Sequence, residues 1–166
     1  MGLSCPHIPQ GFNPKISRGQ MDTIGSLVDK LSILEIRRDH TKDSDSLRIL
    51  NETAERLKDE INETVAGILN GEIRDEWTVK QPKLKNYAHQ DNRLEKSEGL
   101  AKVIQNLIDA NIHLWNIEDT RRNMALGDDV RLEAADQISV WNKKRNDAMD
   151  NIDKEMWRLA QSILVE

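Results

Sequence analysis

The chain has a single cysteine, Cys5, in 166 residues. No intramolecular disulfide can form, and a zinc site built on cysteines is excluded. It has one Phe and one Tyr against four Trp, so the core must be built from Leu, Ile, Val, Met and Ala, with Trp as the large filler. Gly (8) and Pro (4) are scarce, which favours helices over turn-rich strands. No apolar run approaches the roughly 18–20 residues that a membrane helix needs. The start of the chain, MGLSCPHIPQGF, lacks the charged-then-apolar order of a secretion signal. Met1-Gly2 with Ser4-Cys5 has the look of an acylation signal, but no hydroxyl residue stands at the Ser/Thr position of that motif. A reducing, cytoplasmic setting is the expectation. A basic surplus is also missing. The net charge is −5, with acidic and basic residues interleaved, so no nucleic-acid partner is expected.

What is present is helical periodicity in a length that suits one domain. Residues 1–21, with Pro6, Pro9, Gly11, Pro14 and Gly19, read as an irregular leader, and 22–166 as a single helical domain. A first helix near 23–41, capped by Asp22 or Thr23, carries the stripe Ile24, Leu27, Val28, Leu31, Leu34, Arg38. Ile33 and Ile36 give it a second apolar face, which predicts a central helix with several neighbours. A short break, with Asp43, Ser44 or Asp45 as cap, leads to a second helix near 46–70. Its seam runs Leu47, Leu50, Ala54, Leu57, Ile61, Thr64 or Val65, Ile68, and so short a connection predicts an antiparallel hairpin. Asn70-Gly71 stops it.

Residues 72–96 lack helical periodicity and hold Trp77, Pro82 and Tyr87. Lys80, Lys83, Lys85 and Arg93 against Asp91 give this long loop a local positive excess that could meet an anion. The plainer reading is a solvated loop across the bundle end. A third helix over about 96–123 and a fourth from a cap at Asp128 or Asp129 to about 164 complete an all-α, antiparallel four-helix bundle-like domain. The stripe of the fourth helix is Ile138, Trp141, Arg145, Met149, Ile152, Met156, Leu159, Ile163.

The third helix contains the stretch around which the chain is organised, Leu107–Arg122, LIDANIHLWNIEDTRR. Leu107, Ala110, Leu114 and Ile117 form its core stripe, and Asn111, Trp115 and Glu118 flank it. A buried carboxylate without a partner costs several kcal/mol, on the order of a fold's whole margin. Arg145, alone in an otherwise apolar seam, is the partner expected for Glu118, since its planar fork suits a carboxylate. Asp29, Lys30 and Glu35 interrupt the first helix in the same way. Asp29, Lys30, Glu35, Asn111, Trp115, Glu118 and Arg145 thus form the candidate polar cluster. It reads first as ion pairs that set helix register. The alternative is an inter-helix pocket for an anionic, nucleotide- or sugar-nucleotide-like ligand, with or without a metal.

Other chemistry finds less support. His113 has Ala110 three residues before it, not the Glu of a ferritin-like metal pair. No metal or other cofactor is expected. Glu52/Glu55, Glu60/Glu63 and Asp147/Asp150 have the spacing used by all-helical pyrophosphohydrolases, but lie off the apolar stripes and read as solvated faces. No Gly-x-Ser-x-Gly or Gly-rich phosphate loop occurs.

Three segments carry a resemblance. Gly25–Arg37, GSLVDKLSILEIR, is similar to a G-x-L-[IV]-D-K-[IL]-x-I-L-E-I-[KR] start; Asn111–Asp119 matches N-x-x-L-W-x-x-E-D; Asn142-Lys-Lys-Arg145 is similar to a shorter N-x-x-R segment. Together they resemble a group of uncharacterised bacterial all-helical proteins often met beside surface-polysaccharide genes. The resemblance implies an all-helical fold, a link to cell-surface glycan assembly, and no assigned activity. Its matched residues include Asp29, Lys30, Glu35, Asn111, Trp115 and Glu118. The reading is a non-enzymatic accessory or interaction protein, a homodimer by virtue of its strict helical seam, with a further protein partner as an option.

Overall fold

The computed structural model describes residues 22–72 and 98–164. The leader and the loop over 73–97, with its lysines and Trp77, lie outside the described residues. Four helices make up the rest: α1 (Ile24–His40), α2 (Ser44–Leu69), α3 (Leu100–Arg122) and α4 (Asp128–Leu164). No strand occurs among the described residues. The fold is all-α and bundle-like.

Local chemistry sets the ends. The Thr23 hydroxyl accepts from Ser26 N at 3.1 Å and begins α1. The Asp43 carboxylate accepts from Ser46 N at 2.8 Å and begins α2. Each satisfies an amide that has no partner within its helix. α2 stops at Asn70. Gly71 follows at φ 70°, Gly71 N donates to Ile68 O at 3.2 Å, and Glu72 N donates to Gly67 O at 3.0 Å. This is the paired closure that a left-handed residue makes possible. α4 begins at Asp128, so its cap, Gly127, lies one residue before the expected pair. Gly127 O accepts from Arg131 N, and Asp128 and Asp129 sit inside the first turn, where their charge complements the helix dipole.

α1 and α4 each pack against all three other helices, whereas α2 and α3 scarcely meet. α1 is therefore central, as its two apolar faces required. α3 and α4 form the most extensive pair, an antiparallel hairpin. α1 runs antiparallel to α4, because Gly25 meets Asp153 while Asp29 meets Arg145. It runs parallel to α3, because Asp29 meets Asn111 while His40 meets Trp115.

The core gathers Ile24, Ile68, Val103, Leu107, Ile152 and Met156 at the end where α1 begins. Leu27, Leu107 and Ile152 are fully enclosed, each contributing about 1.5–3 kcal/mol by burial. One expectation changes on α4. Leu159 and Ile163 are exposed, and Ala160 is buried instead. Beyond Ala148 the buried row steps by four residues, through Ile152, Met156 and Ala160. A four-residue step turns about 40° around the helix, carrying the row away from the original stripe.

Gly25 allows α1 to begin directly against α4. A Cβ there would lie 2.3 Å from the carbonyl oxygen of Met149, closer than any side-chain atom can stand.

Candidate functional site

α1, α3 and α4 converge on Asp29, whose side chain is 6% exposed. Asp29 Oδ1 accepts from Arg145 Nε at 2.7 Å and from Asn111 Nδ2 at 2.9 Å. Asp29 Oδ2 accepts from Arg145 Nη2, completing a two-pronged ion pair. Asn111 Nδ2 also donates to Ser32 Oγ at 2.7 Å, and Ser32 Oγ donates to Asp29 O at 2.9 Å. The Arg145 side chain remains 30% exposed at the rim. The carboxylate beside it pushes the guanidinium pKa upward through hydrogen bonding, against the opposing effect of burial.

Three of the seven candidate residues therefore meet: Asp29, Asn111 and Arg145. Ser32, one helical turn from Asp29, joins them, and that spacing was the signal for it. The partner of Arg145 is Asp29, not Glu118. Glu118 lies seven residues beyond Asn111, about 10 Å further along the axis at 1.5 Å per residue. At that level it accepts from Arg121 Nη2 at 2.9 Å and Nε at 3.1 Å, with Arg122 Nε at 3.4 Å, all on its own helix. Lys30 is exposed and paired with Asp22, and Glu35 is paired with Arg38. Both left the cluster because α1's outer side is open to solvent at their positions.

Trp115 takes part in a different feature. Its ring lies 5.1 Å from that of His40, tilted by 41°. With Arg37, His40, Ser46, Ile49 and Leu50 it lines an open cleft of about 500 Å³ at the turn between α1 and α2. Trp115 Nε1 is sealed from solvent and has no hydrogen-bond partner among the described residues. The sequence reading missed this cleft, because its walls come from the end of one helix, the start of the next and the middle of a third.

A second titratable group outside the expected set anchors α1. Asp153 Oδ1 accepts from Gly25 N at 2.8 Å. Burial pushes the Asp153 carboxyl above its usual range, with hydrogen bonds from Gly25 and Thr23 pulling the other way and nearby Asp150 adding to the rise.

The acidic pairs on α2 face solvent: Glu52 pairs with Arg48 at 2.9 Å and Glu55 with Lys58 at 2.7 Å. His113 is exposed, with Nδ1 2.8 Å from Asp109 O, and stacks on Trp141 at 4.0 Å. Among the described residues no group of three or more His, Cys, Asp or Glu side chains converges as a metal site, and no helix is long and apolar enough to cross a membrane. Compared with protein-family models, with curated proteins and with solved structures, the chain finds no match in any of the three.

Proposed function

We propose that this chain is a non-enzymatic interaction protein that pairs with a second copy of itself through the α3–α4 hairpin. An accessory role in cell-surface glycan assembly is the setting that the motif resemblance implies. The observation that carries the reading is where exposed apolar side chains fall. Ile112, Met124, Leu126, Val130, Leu132 and Val140 all lie on the hairpin, at the end away from the core. Of these, Leu132 and Val140, eight residues and about 80° apart around α4, can share one face, and large apolar groups exposed on one face mark an interaction surface.

The polar cluster supports the same reading. Both oxygens of Asp29 and the amide nitrogen of Asn111 are engaged inside the protein. A carboxylate so occupied acts as a joint between helices.

A second copy suits the surface because α4 is self-complementary there. Asp136 lies a turn before Val140, and Lys144 a turn after it. Two α4 helices crossing antiparallel about Val140 bring Asp136 of each against Lys144 of the other, as a two-fold interface requires.

Sedimentation velocity tests it. The expected result is a dimer that becomes monomeric in Leu132→Glu/Val140→Glu, with the helical circular dichroism retained. A wild-type chain that is monomeric across the whole concentration range overturns the proposal.

A further inference from the structure

The Asp29 cluster is closed. The acidic pairs on α2 are solvated. The His113–Trp141 stack, with Lys144 Nζ 3.7 Å above the Trp141 ring, shares Lys144 with the pairing surface already proposed. The cleft at the α1–α2 turn differs from all of these, because the Arg37 guanidinium on its wall is paired with no carboxylate among the described residues.

Arg37 is exposed, and its guanidinium meets no carboxylate among the described residues, whereas neighbouring Arg38 is paired with Glu35. His40 Nδ1 lies 2.8 Å from Ile36 O. A carbonyl only accepts, so Nδ1 carries the proton and Nε2 is left for another group. Trp115 Nε1–H is the one buried side-chain donor without a partner among the described residues. Ile49, more than half exposed, and Leu50 supply an apolar wall beside these groups. The volume, about 500 Å³, falls in the range of small-ligand sites.

We infer that this cleft binds a small amphipathic anion: a planar or branched apolar body carrying a carboxylate or a phosphate. The body lies against Trp115, Ile49 and Leu50. The anionic group pairs with Arg37. Arg37, Arg38 and His40 close α1, with Asp39 and Asp45 on the same turn, while Glu35 is engaged by Arg38 and Asp43 by Ser46 N. The residues of this site are other than the exposed apolar residues of the proposed pairing surface, so the two stand or fall separately.

The test is a titration of the full chain with 1-naphthyl phosphate, followed by ¹H–¹⁵N NMR, with the Trp115 indole signal assigned from its loss in Trp115→Phe. Saturable movement of that indole signal, and of the Arg37 and Ile49 amides, is expected. Arg37→Ala, a change at an exposed and unpaired side chain, should weaken binding about tenfold, the loss of one charge-assisted contact of ~1.4 kcal/mol. Inorganic phosphate, which lacks the apolar body, should bind more weakly than the naphthyl ester. The inference is overturned if the Trp115 indole signal does not move at millimolar probe. It is equally overturned if Arg37→Ala binds as wild type, or if inorganic phosphate binds as well as the ester.

Discussion

Asp29 depends on Arg145 more than Arg145 depends on Asp29. The carboxylate is nearly enclosed, while the guanidinium keeps a rim position open to water. Replacing Arg145 with Met strands a buried charge with only Asn111 as a partner, at a cost of about 3–5 kcal/mol. Replacing Asp29 with Asn leaves an Arg that can turn to solvent and an amide that can still accept, so about 1–2 kcal/mol is expected. Urea unfolding of the two variants should show that order, and equal losses would mean that the pair is solvated on both sides. Glu118→Gln serves as the contrast. Its partners are on its own helix at the surface, so a change within about 0.5 kcal/mol is expected. The polar residues of this joint were legible in the sequence because each interrupts an apolar stripe. Their pairing was not. Which carboxylate reaches Arg145 depends on the axial register of α1, α3 and α4, and a stripe fixes a helix's facing without its height.

At the scale of elements, helix ends and facings followed from caps and periodicity, as Thr23, Asp43 and Asn70-Gly71 show. The close approach of α1 to α4 did not. Gly25 lies in a helical segment whose spacing gave no hint that its hydrogen faces Met149 O. Nor did Asp153, on a charged stretch of α4, announce that it would receive the Gly25 amide of α1. That placement has a pH consequence. Burial raises the Asp153 carboxyl above its value in the unfolded chain, so the folded state holds the proton more tightly than the unfolded state does. The favourable contribution is therefore fully present below the unfolded value near 3.8 and is lost as pH rises through the folded value. Asp153→Asn removes this titration while its side-chain oxygen can still accept from Gly25 N. Expressed relative to wild type, the variant should gain stability as pH rises from 4 to 7. Parallel stability–pH curves for the two proteins would show that Asp153 is as solvated in the fold as out of it.

For the whole molecule, the distribution of packing is uneven along the bundle axis. The enclosed residues sit where α1 begins and where α2 and α4 end, around Ile68, Ile152 and Met156. Past Asn111 and Arg145, α3 and α4 have each other, α1 on one side, and Ala134 as the one buried residue between 112 and 140. From Trp115, which is level with the last residue of α1, α3 continues seven residues to Arg122. The hairpin thus overhangs the α1–α2 turn by about 10 Å. Local opening is cheapest where few apolar contacts hold the backbone. At low protein concentration, amide hydrogen exchange should therefore be faster over 116–140 than over 148–160. If a second copy covers Leu132 and Val140, protection over that hairpin should rise with concentration, by mass action, while protection around Ile152 stays constant. Exchange that is fast and independent of concentration over 116–140 would leave the overhang uncovered in solution and count against self-pairing. Uniform protection of both regions in the dilute protein would show instead that the hairpin is held by the fold itself.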